Sequence, residues 1–255
     1  MTEEHDGKRK TAATFDAASD HYLDSDVHRH GADLERLTSW CADATRALDV
    51  ATGAGHTAGA VADRGVPTVV ATDAAPSMVE TAVDAFGGLE GAIVDAERLP
   101  FARDAFDAVT CRIAAHHFPN PTAFVREVSR VLEPGGVLAL EDNVAPADPS
   151  LGEFINRVER LRDPTHVESY TIERWHEWLR EAGFALEETV RLHKPLQFES
   201  WADGQSCTGE ERKRVERTLR EASDEAVETF DIRVEDGRVV SFAPLKALVR
   251  ARHLE

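Results

Sequence analysis

The chain has 255 residues, of which 42% are hydrophobic, and its 47 acidic against 29 basic side chains give a formal charge of −18. The apolar content is sufficient for a buried core and argues against an intrinsically disordered chain. The acidic excess repels phosphate backbones and anionic lipid, which argues against a protein that binds nucleic acid or a membrane surface. Only five of the basic residues are lysines, and this composition predicts a surface adapted to high salt, as in a halophile.

The three cysteines are far apart, at positions 41, 111 and 207, and their odd number argues against a disulfide framework. No apolar run is as long as a membrane-spanning helix, and the first ten residues lack the apolar segment of a signal peptide. We therefore expect a cytoplasmic protein without membrane insertion. The sequence leaves the oligomeric state open, a homodimer included.

From Ala47 to Glu141, short apolar runs alternate with helical patterns, which is typical of βαβ units that build a parallel sheet. Strands are predicted at residues 47–50, 66–72, 92–94, 106–111 and 137–141. Helices are predicted from Gly55 to Val61, from Pro76 to Phe86 and from Phe124 to Leu132. The alternation predicts an α/β fold of the doubly wound, Rossmann-like type.

The flanking segments have a different pattern. Further helices are predicted within residues 12–40, at 151–161 and at 171–182, and β-rich stretches at 185–198 and 238–252 enclose a charged helix near 209–230. With no repeat or linker, the chain is predicted to form a single domain over residues 1–255. Its parts are an N-terminal helical lid (12–40), a cofactor-binding core (41–145) and a cap with the final strands (146–255).

The strongest local signal is the run Asp49-Val50-Ala51-Thr52-Gly53-Ala54-Gly55, where a strand ends and a helix begins. Glycines there let a ligand approach the backbone, and the helix start offers free N–H groups to an anion. The fingerprint of NAD-binding proteins would need a third glycine at position 58, which is alanine, and a Tyr-x-x-x-Lys proton donor is absent. A dehydrogenase is therefore the weaker interpretation.

Two acidic residues follow later strands of the same block. Asp73 ends the second strand, at the spacing from Gly53 of a carboxylate that accepts both hydroxyls of a ribose. Alternatively, Asp73 could cap the helix that begins at Pro76. Asp95 ends the third strand and could accept a hydrogen bond from an exocyclic amine, beside the backbone N–H of Ala96, but taken alone it would be a loop aspartate.

Four segments carry a family resemblance: ALDVATGAGHTAGAVA, VVATDAAPSMVETA, AIVDAERLPFARDAFDAVTCRIAAHHF and FVREVSRVLEPGGVLAL. In order and spacing they resemble the class I S-adenosylmethionine-dependent methyltransferases, and within that class the UbiE-like, type 11 group and its YcgJ-like branch. The resemblance covers roughly residues 12–182. It implies S-adenosyl-L-methionine as the cofactor and S-adenosyl-L-homocysteine as its product.

The resemblance also implies where the cofactor would bind. The methionine moiety would be surrounded by Asp49, Ala51, Gly53 and Gly55, with alanine at position 51 where the broader class has glycine. The ribose would be held by Asp73, and the adenine would be contacted by Ala74, Met78, Asp95 and Ala96. Cys111 and Arg112 would lie beneath the sulfonium, and Tyr22 and the segment around Gly31 would form a lid.

His116 and His117 are the candidate catalytic residues. Methyl transfer depends on alignment and exclusion of water, and it needs a base only where the nucleophile must lose a proton. Both histidines follow the fourth strand at the carboxyl edge of the sheet, and His117 is predicted to face the methyl group. A structural role in the loop, or against the cofactor, is an equal alternative.

Arg162 and His166, in the segment RLRDPTH, are candidate residues for binding the acceptor. An internal Arg–Asp pair at a helix end explains that segment equally well. His28 and His30 lack a third ligand, so no metal site is predicted.

The sequence therefore predicts methyl transfer to a small-molecule acceptor that is apolar or contains a ring, with carbon, oxygen and nitrogen nucleophiles all left open. Two alternatives remain. One is a non-catalytic protein that binds the same cofactor or a nucleotide, and the other is an NAD-dependent dehydrogenase.

Overall fold

The computed structural model describes residues 2–16, 23, 29–204 and 207–254. It contains ten strands: β1 (Arg46–Val50), β2 (Thr68–Asp73), β3 (Leu89–Ile93), β4 (Phe106–Arg112), β5 (Leu132–Asn143), β6 (Phe184–His193), β7 (Leu196–Gln197), β8 (Arg233–Glu235), β9 (Arg238–Phe242) and β10 (Leu245–His253). Seven of them form one sheet in the order β3-β2-β1-β4-β5-β10-β6. The strands β1 to β5 run parallel, and β10 is antiparallel to both β5 and β6. The predicted α/β, Rossmann-like class is confirmed.

Among the described residues, ten helices accompany the strands: α1 (Thr2–Asp16), α2 (Ala32–Ser39), α3 (His56–Ala62), α4 (Pro76–Ala85), α5 (Pro121–Val131), α6 (Pro149–Arg162), α7 (Ile172–Glu181), α8 (Phe198–Asp203), α9 (Gly209–Arg220) and α10 (Asp224–Thr229). A short 3₁₀ turn, Ala115–His117, follows β4.

Packing on both faces of the sheet explains why its inner strands are apolar throughout. Leu48 and Val109 belong to a core on one face that includes Phe124 of α5 and Trp175 of α7. On the other face, Ala47 packs with residues of α2 and α3. Each fully buried aliphatic or aromatic side chain contributes roughly 1.5–3 kcal/mol, so the two cores hold the sheet rigid beneath its carboxyl edge.

In the C-terminal part, the final strands β6 and β10 complete the main sheet. Between them, the described residues of 194–244 form an insertion that the sequence did not indicate, with the small antiparallel sheet β7-β9-β8 and the helices α8 to α10. The insertion packs on α6 in a separate core that includes Phe198, Trp201, Val215 and Leu219.

The charged helix predicted near 209–230 is two helices. Helix α9 ends at Arg220, and Ser223 begins α10 because its hydroxyl accepts a hydrogen bond from the N–H of Ala226 at 3.2 Å. Serine competes with the helix backbone in this way and favours a helix start over a helix interior.

At the N-terminus, α1 begins well before the predicted lid and ends at Asp16. The predicted lid residue Tyr22 and the histidine His28 lie outside the described residues. Within the described part of the chain, no helix combines the length and apolar character needed to cross a bilayer.

Candidate functional site

The carboxyl ends of β1 to β4 meet at one edge of the sheet, and a cavity of about 410 Å³ opens there beneath α1. Open α/β sheets bind ligands at this edge, and the volume is that of a small-molecule site. Nine of the predicted site residues line the cavity: Ala51, Gly53, Asp73, Ala74, Met78, Asp95, Ala96, Arg112 and His117.

The turn after β1 forms one wall of the cavity. Ala51 has φ 56° and Gly53 has φ 52°, so two residues of this turn adopt the left-handed conformation. A Cβ atom at Gly53 would meet no atom within 4 Å, which is consistent with a backbone that faces open space. The Thr52 N–H donates to the Thr72 carbonyl at 2.8 Å and ties the turn to β2.

Asp49 is buried beneath this turn and does not line the cavity. Its two carboxylate oxygens accept hydrogen bonds from the hydroxyls of Thr52, at 2.6 Å, and Thr110, at 2.5 Å. Burial raises the pKa of Asp49 to about 6, although the two threonine hydroxyls act in the opposite direction. Asp49 therefore does not face a ligand in the cavity, and its role there is to hold the conformation of the turn.

Gly55 begins α3 and also lies away from the cavity. Its φ is 91°, and a Cβ atom there would lie 2.7 Å from Cβ of Ala82 on α4. The close approach of α3 and α4 therefore requires a glycine at this position, and contact with a ligand is not needed to explain it.

Asp73 presents a carboxylate at the end of β2. Its oxygens accept the N–H groups of Gly53, at 3.0 Å, and Ala75, at 2.9 Å. Burial raises the pKa of Asp73, and these N–H groups partly oppose that shift. Asp73 therefore lies in the cavity wall and does not cap α4, because the N-cap position is Ala75 and no side chain forms a capping hydrogen bond from that position.

Asp95 is engaged by a residue that the sequence analysis did not identify. The Lys8 ammonium lies 2.9 Å from Oδ2 of Asp95 and 2.5 Å from Oε2 of Glu97. Burial disfavours the charge on Lys8, but the two carboxylates outweigh this effect and raise its pKa. Residues so distant in the chain give no local signal of their pairing.

Helix α1 covers the cavity, the role predicted for Tyr22 and the segment around Gly31. Phe15 packs edge-on against the His117 ring, with ring centroids 5.0 Å apart. At the end of the helix, the Asp16 carboxylate accepts the N–H of Ser77 at 2.8 Å. Gly31 precedes α2 and does not line the cavity.

Arg112 lines the cavity, and its positive charge is balanced by two buried carboxylates. Its guanidinium lies 3.0 Å from Oδ2 of Asp33 and 2.7 Å from Oε2 of Glu141, and Lys194 also contacts Asp33, at 2.7 Å. Burial opposes the charge on Asp33, yet the two cations hold its pKa well below the usual range. Because Arg112 is balanced by carboxylates, we interpret it as a wall of the cavity.

His117 is the predicted catalytic residue that faces the cavity. Its Nδ1 lies 3.1 Å from the Thr165 carbonyl oxygen, which can only accept a hydrogen bond. Nδ1 must therefore carry the proton, and Nε2 keeps its lone pair. Burial and the neighbouring His116 lower the pKa of His117 to about 4, so the ring is neutral near pH 7.

His116 lies behind His117, with ring centroids 4.2 Å apart, and is not part of the cavity wall. Its Nδ1 lies 2.6 Å from Oδ1 of Asp142. Burial alone would lower the pKa of His116, but the Asp142 carboxylate outweighs burial and raises it. The two histidines therefore favour different protonation states.

The two residues predicted to bind the acceptor do not line the cavity. The Arg162 guanidinium lies over the Trp201 ring, 4.7 Å from its centroid, and donates to the Trp201 carbonyl at 2.9 Å. Its ion-pair partner is Glu159, at 3.5 Å, rather than Asp163. His166 is buried and its Nε2 lies 2.8 Å from Oδ1 of Asn156.

The sequence did not indicate several apolar residues of the cavity wall, among them Phe15, Ile113 and Phe118. Their apolar side chains resemble ordinary core residues, and only the fold shows that they face open space. Among the described residues, no three His, Cys, Asp or Glu side chains are grouped so as to hold a metal ion.

The fold and the cavity define an α/β protein with a ligand site at the carboxyl edge of its sheet, and comparison with known proteins gives its family. A family model described as a methyltransferase domain matches residues 48–140. The uncharacterised methyltransferase YcgJ of Bacillus subtilis is 38% identical over 244 residues, which cover 92% of this chain and 95% of YcgJ. The chain therefore belongs to this methyltransferase family.

Solved structures agree with this assignment. The crystal structure of YcgJ matches with a TM-score of 0.84 at 35% identity, covering 89% of this chain and 100% of YcgJ. A Bacillus halodurans protein classified as a methyltransferase matches with a TM-score of 0.83 at 40% identity, covering 88% and 100% of the two chains. A ubiquinone biosynthesis O-methyltransferase of Xanthomonas oryzae is 35% identical over 165 residues, 59% of this chain and 67% of that protein.

Proposed function

We propose that the protein transfers a methyl group from S-adenosyl-L-methionine to a small apolar or ring-containing acceptor, with His117 as the proton acceptor. The observation that carries this proposal is the continuity of the cavity. One wall holds the Gly53 turn and the carboxylates of Asp73 and Asp95, and the same cavity reaches His117.

The residues at the carboxylate end fit the cofactor. Each oxygen of Asp73 accepts one backbone N–H and keeps lone-pair capacity for a further hydrogen bond, as two ribose hydroxyls require. The missing Cβ of Gly53 leaves room for a ligand against the turn. When bound there, the cofactor would supply a methyl group activated by its attachment to a sulfonium.

The apolar side chains of the cavity lining are suited to an apolar acceptor. Phe15, Ile113, Phe118 and Pro119 line the cavity together with His117. Ile113 has φ 55°, an unfavourable conformation for a β-branched residue, and strain of this kind concentrates at functional sites. One relative is a ubiquinone biosynthesis O-methyltransferase, and a quinone is a ring compound, which also supports a ring-containing acceptor.

His117 would take a proton from the acceptor as its nucleophilic atom reacts. With Nδ1 donating to the Thr165 carbonyl, the lone pair on Nε2 is the proton-accepting position, and Oδ2 of Asp163 lies 3.9 Å from Nε2, where its charge would stabilise a proton gained there. Asp163 supports this arrangement because its Oδ1 accepts both the N–H of Thr165, at 2.8 Å, and its hydroxyl, at 2.6 Å. Helix α1 and Phe15 would exclude water from the reacting groups.

Two measurements on the same variants test the proposal. S-adenosylhomocysteine, titrated calorimetrically, is expected to bind the wild type and to bind Asp73→Ala at least about tenfold more weakly, because two charge-assisted hydrogen bonds are lost. Transfer of a labelled methyl group to a panel of phenols and hydroquinones is expected to fall by about 100-fold in His117→Ala, with binding of S-adenosylhomocysteine retained. Asp84→Ala, an exposed change on α4, is the matched control.

The outcomes separate the alternatives. Unchanged affinity in Asp73→Ala would place the ribose elsewhere, and full turnover in His117→Ala would leave the histidine a structural role. Binding of S-adenosylhomocysteine without transfer to any acceptor would favour a non-catalytic protein. Binding of NADH in its place would favour a dehydrogenase.

A further inference from the structure

A second cleft, of about 370 Å³, lies between α6 and the inserted helices α9 and α10. Its lining shares no residue with the cavity at the sheet edge. Arg157 of α6 and Arg214 and Arg217 of α9 line its walls, and Leu151 and Phe154 provide an apolar surface within it. The cleft is therefore a concave site with basic and apolar parts.

The three arginines are unusual for their surroundings. The chain carries 47 acidic residues against 29 basic ones, yet none of the three forms an ion pair with a described residue. On the same helix α9, Arg212 contacts the carboxylates of both Glu199 and Asp203. Acidic side chains thus form ion pairs elsewhere on α9, whereas Glu221 in the cleft and Glu210, whose pKa Arg217 helps to lower, form no ion pair with the three arginines.

The placement of these charges is unfavourable in the absence of a ligand. Arg214 and Arg217 are three residues apart and lie on one helix face, where like charges repel. Arg157 adds a third positive charge from across the cleft. An oxyanion bound between them would offset this repulsion, because the planar guanidinium group matches phosphate and carboxylate geometry.

The net charge of the cleft favours a phosphate group over a carboxylate group as the bound oxyanion. Glu221 is the acidic residue in the lining, so the three guanidinium groups and this carboxylate leave two positive charges. A phosphate monoester carries a charge of about −1.5 to −2 near pH 7, which matches that excess, whereas a single carboxylate does not.

We propose that this cleft binds a phosphate monoester with an apolar body, the phosphate lying between Arg157, Arg214 and Arg217 and the apolar part on Leu151 and Phe154. The site is built by the insertion between β6 and β10 together with α6, and it does not depend on the function proposed for the main cavity.

Calorimetric titration of the full chain with 1-naphthyl phosphate tests the proposal, at low salt and with saturating S-adenosylhomocysteine present. The wild type is expected to show saturable binding, weaker for inorganic phosphate and for 1-naphthol, which each offer half of the contacts. Arg214→Gln and Arg217→Gln are each expected to raise the Kd about fivefold to tenfold, through loss of a charge-assisted hydrogen bond. Arg180→Gln, an exposed arginine of α7 that forms no ion pair with a described residue, should bind like the wild type.

Three results would overturn the proposal. These are the lack of saturable binding by the wild type, a Kd in Arg214→Gln and Arg217→Gln equal to that of the wild type, and a loss of affinity in Arg180→Gln as large as the loss expected in those two variants. Displacement of the probe by S-adenosylhomocysteine would assign it to the main cavity and also contradict a separate site. The substituted side chains are exposed, so unfolding midpoints close to that of the wild type are expected and provide the folding control.

Discussion

At the scale of single residues, the histidine pair shows how one sequence motif yields two chemical roles. His116 and His117 are adjacent in the chain, yet one contacts the Asp142 carboxylate and the other the Thr165 carbonyl. The carboxylate favours a proton on His116, and the resulting charge disfavours a proton on His117. His117 is thereby kept neutral, as a proton acceptor must be.

This coupling predicts the effect of Asp142→Asn. Without the carboxylate, the pKa of His116 is expected to fall and His116 to become neutral near pH 7. The pKa of His117 is then expected to rise from about 4, because loss of the repelling His116 charge is the larger effect and outweighs loss of the smaller direct attraction by Asp142. Titration of the histidine ring signals by NMR measures both shifts, and any acid limb of turnover due to His117 should move to higher pH.

His176 provides an internal control for this titration, since its hydrogen-bond partner is Thr189 and not the histidine pair. Its pKa should be the same in the wild type and in Asp142→Asn. An unchanged pKa of His117 in the variant would contradict the coupling.

At the scale of elements, α1 is held over the cavity by contacts at its middle and at its C-terminal end. Lys8 pairs with Asp95 and Glu97, and Asp16 caps the first turn of α4 through Ser77. The side chain of Glu97 is only 6% exposed, so this ion pair is less screened than a pair on the open surface. The pair therefore stabilises the covered state of the cavity.

We predict that Lys8→Gln makes α1 open more often. Amide hydrogen exchange in residues 2–16 is expected to become about threefold to fivefold faster, since a pair of this kind contributes up to about 1 kcal/mol. Mass spectrometry of peptides from this region measures the change, and exchange in β1 and β4 should stay the same.

Lys10→Gln is the matched control for this experiment, because Lys10 is exposed on the same helix and forms no ion pair with a described residue. Equal exchange in the two variants would mean that Lys8 does not hold α1 in place.

The elements also differ in how far the sequence predicts them. The strands β1, β2 and β4 and the helix α4 follow from apolar runs and turn residues that lie within a few positions of one another. The break between α9 and α10 depends on a single serine cap in a segment whose charge pattern is compatible with one continuous helix. The position of β10 between β5 and β6 depends on pairings with segments more than fifty residues away, and no local pattern encodes it.

At the scale of the whole molecule, the charge of −18 opposes folding through repulsion among the carboxylates. Few of these groups lie at the cavity, namely Asp73, Asp95 and Glu97 in its wall and Asp49 beneath it. Most of the remaining carboxylates lie at the surface, where dissolved salt screens them.

We predict that the thermal unfolding midpoint rises when KCl is raised from about 0.1 M to about 1 M, a change that shortens the Debye length from about 10 Å to about 3 Å. A rise of at least about 4 °C is expected, which corresponds to roughly 1–2 kcal/mol for a chain of this size. Differential scanning calorimetry measures the midpoint. Sucrose at equal osmolality separates charge screening from general exclusion of solutes, and an unchanged or lower midpoint in KCl would contradict a surface adapted to salt.

The sequence by itself determined the sheet core, the glycine turn and the positions of Asp73, Asp95 and His117, because those features depend on residue types a few positions apart. The tertiary structure alone decided that Lys8 meets Asp95, that the Thr165 carbonyl fixes the proton on His117, and that Arg162 packs on Trp201 away from the cavity. It also brought three arginines of α6 and α9 into one cleft. The physical reason is that short-range patterns set the backbone of each element, whereas contacts between distant side chains exist only after the elements have packed.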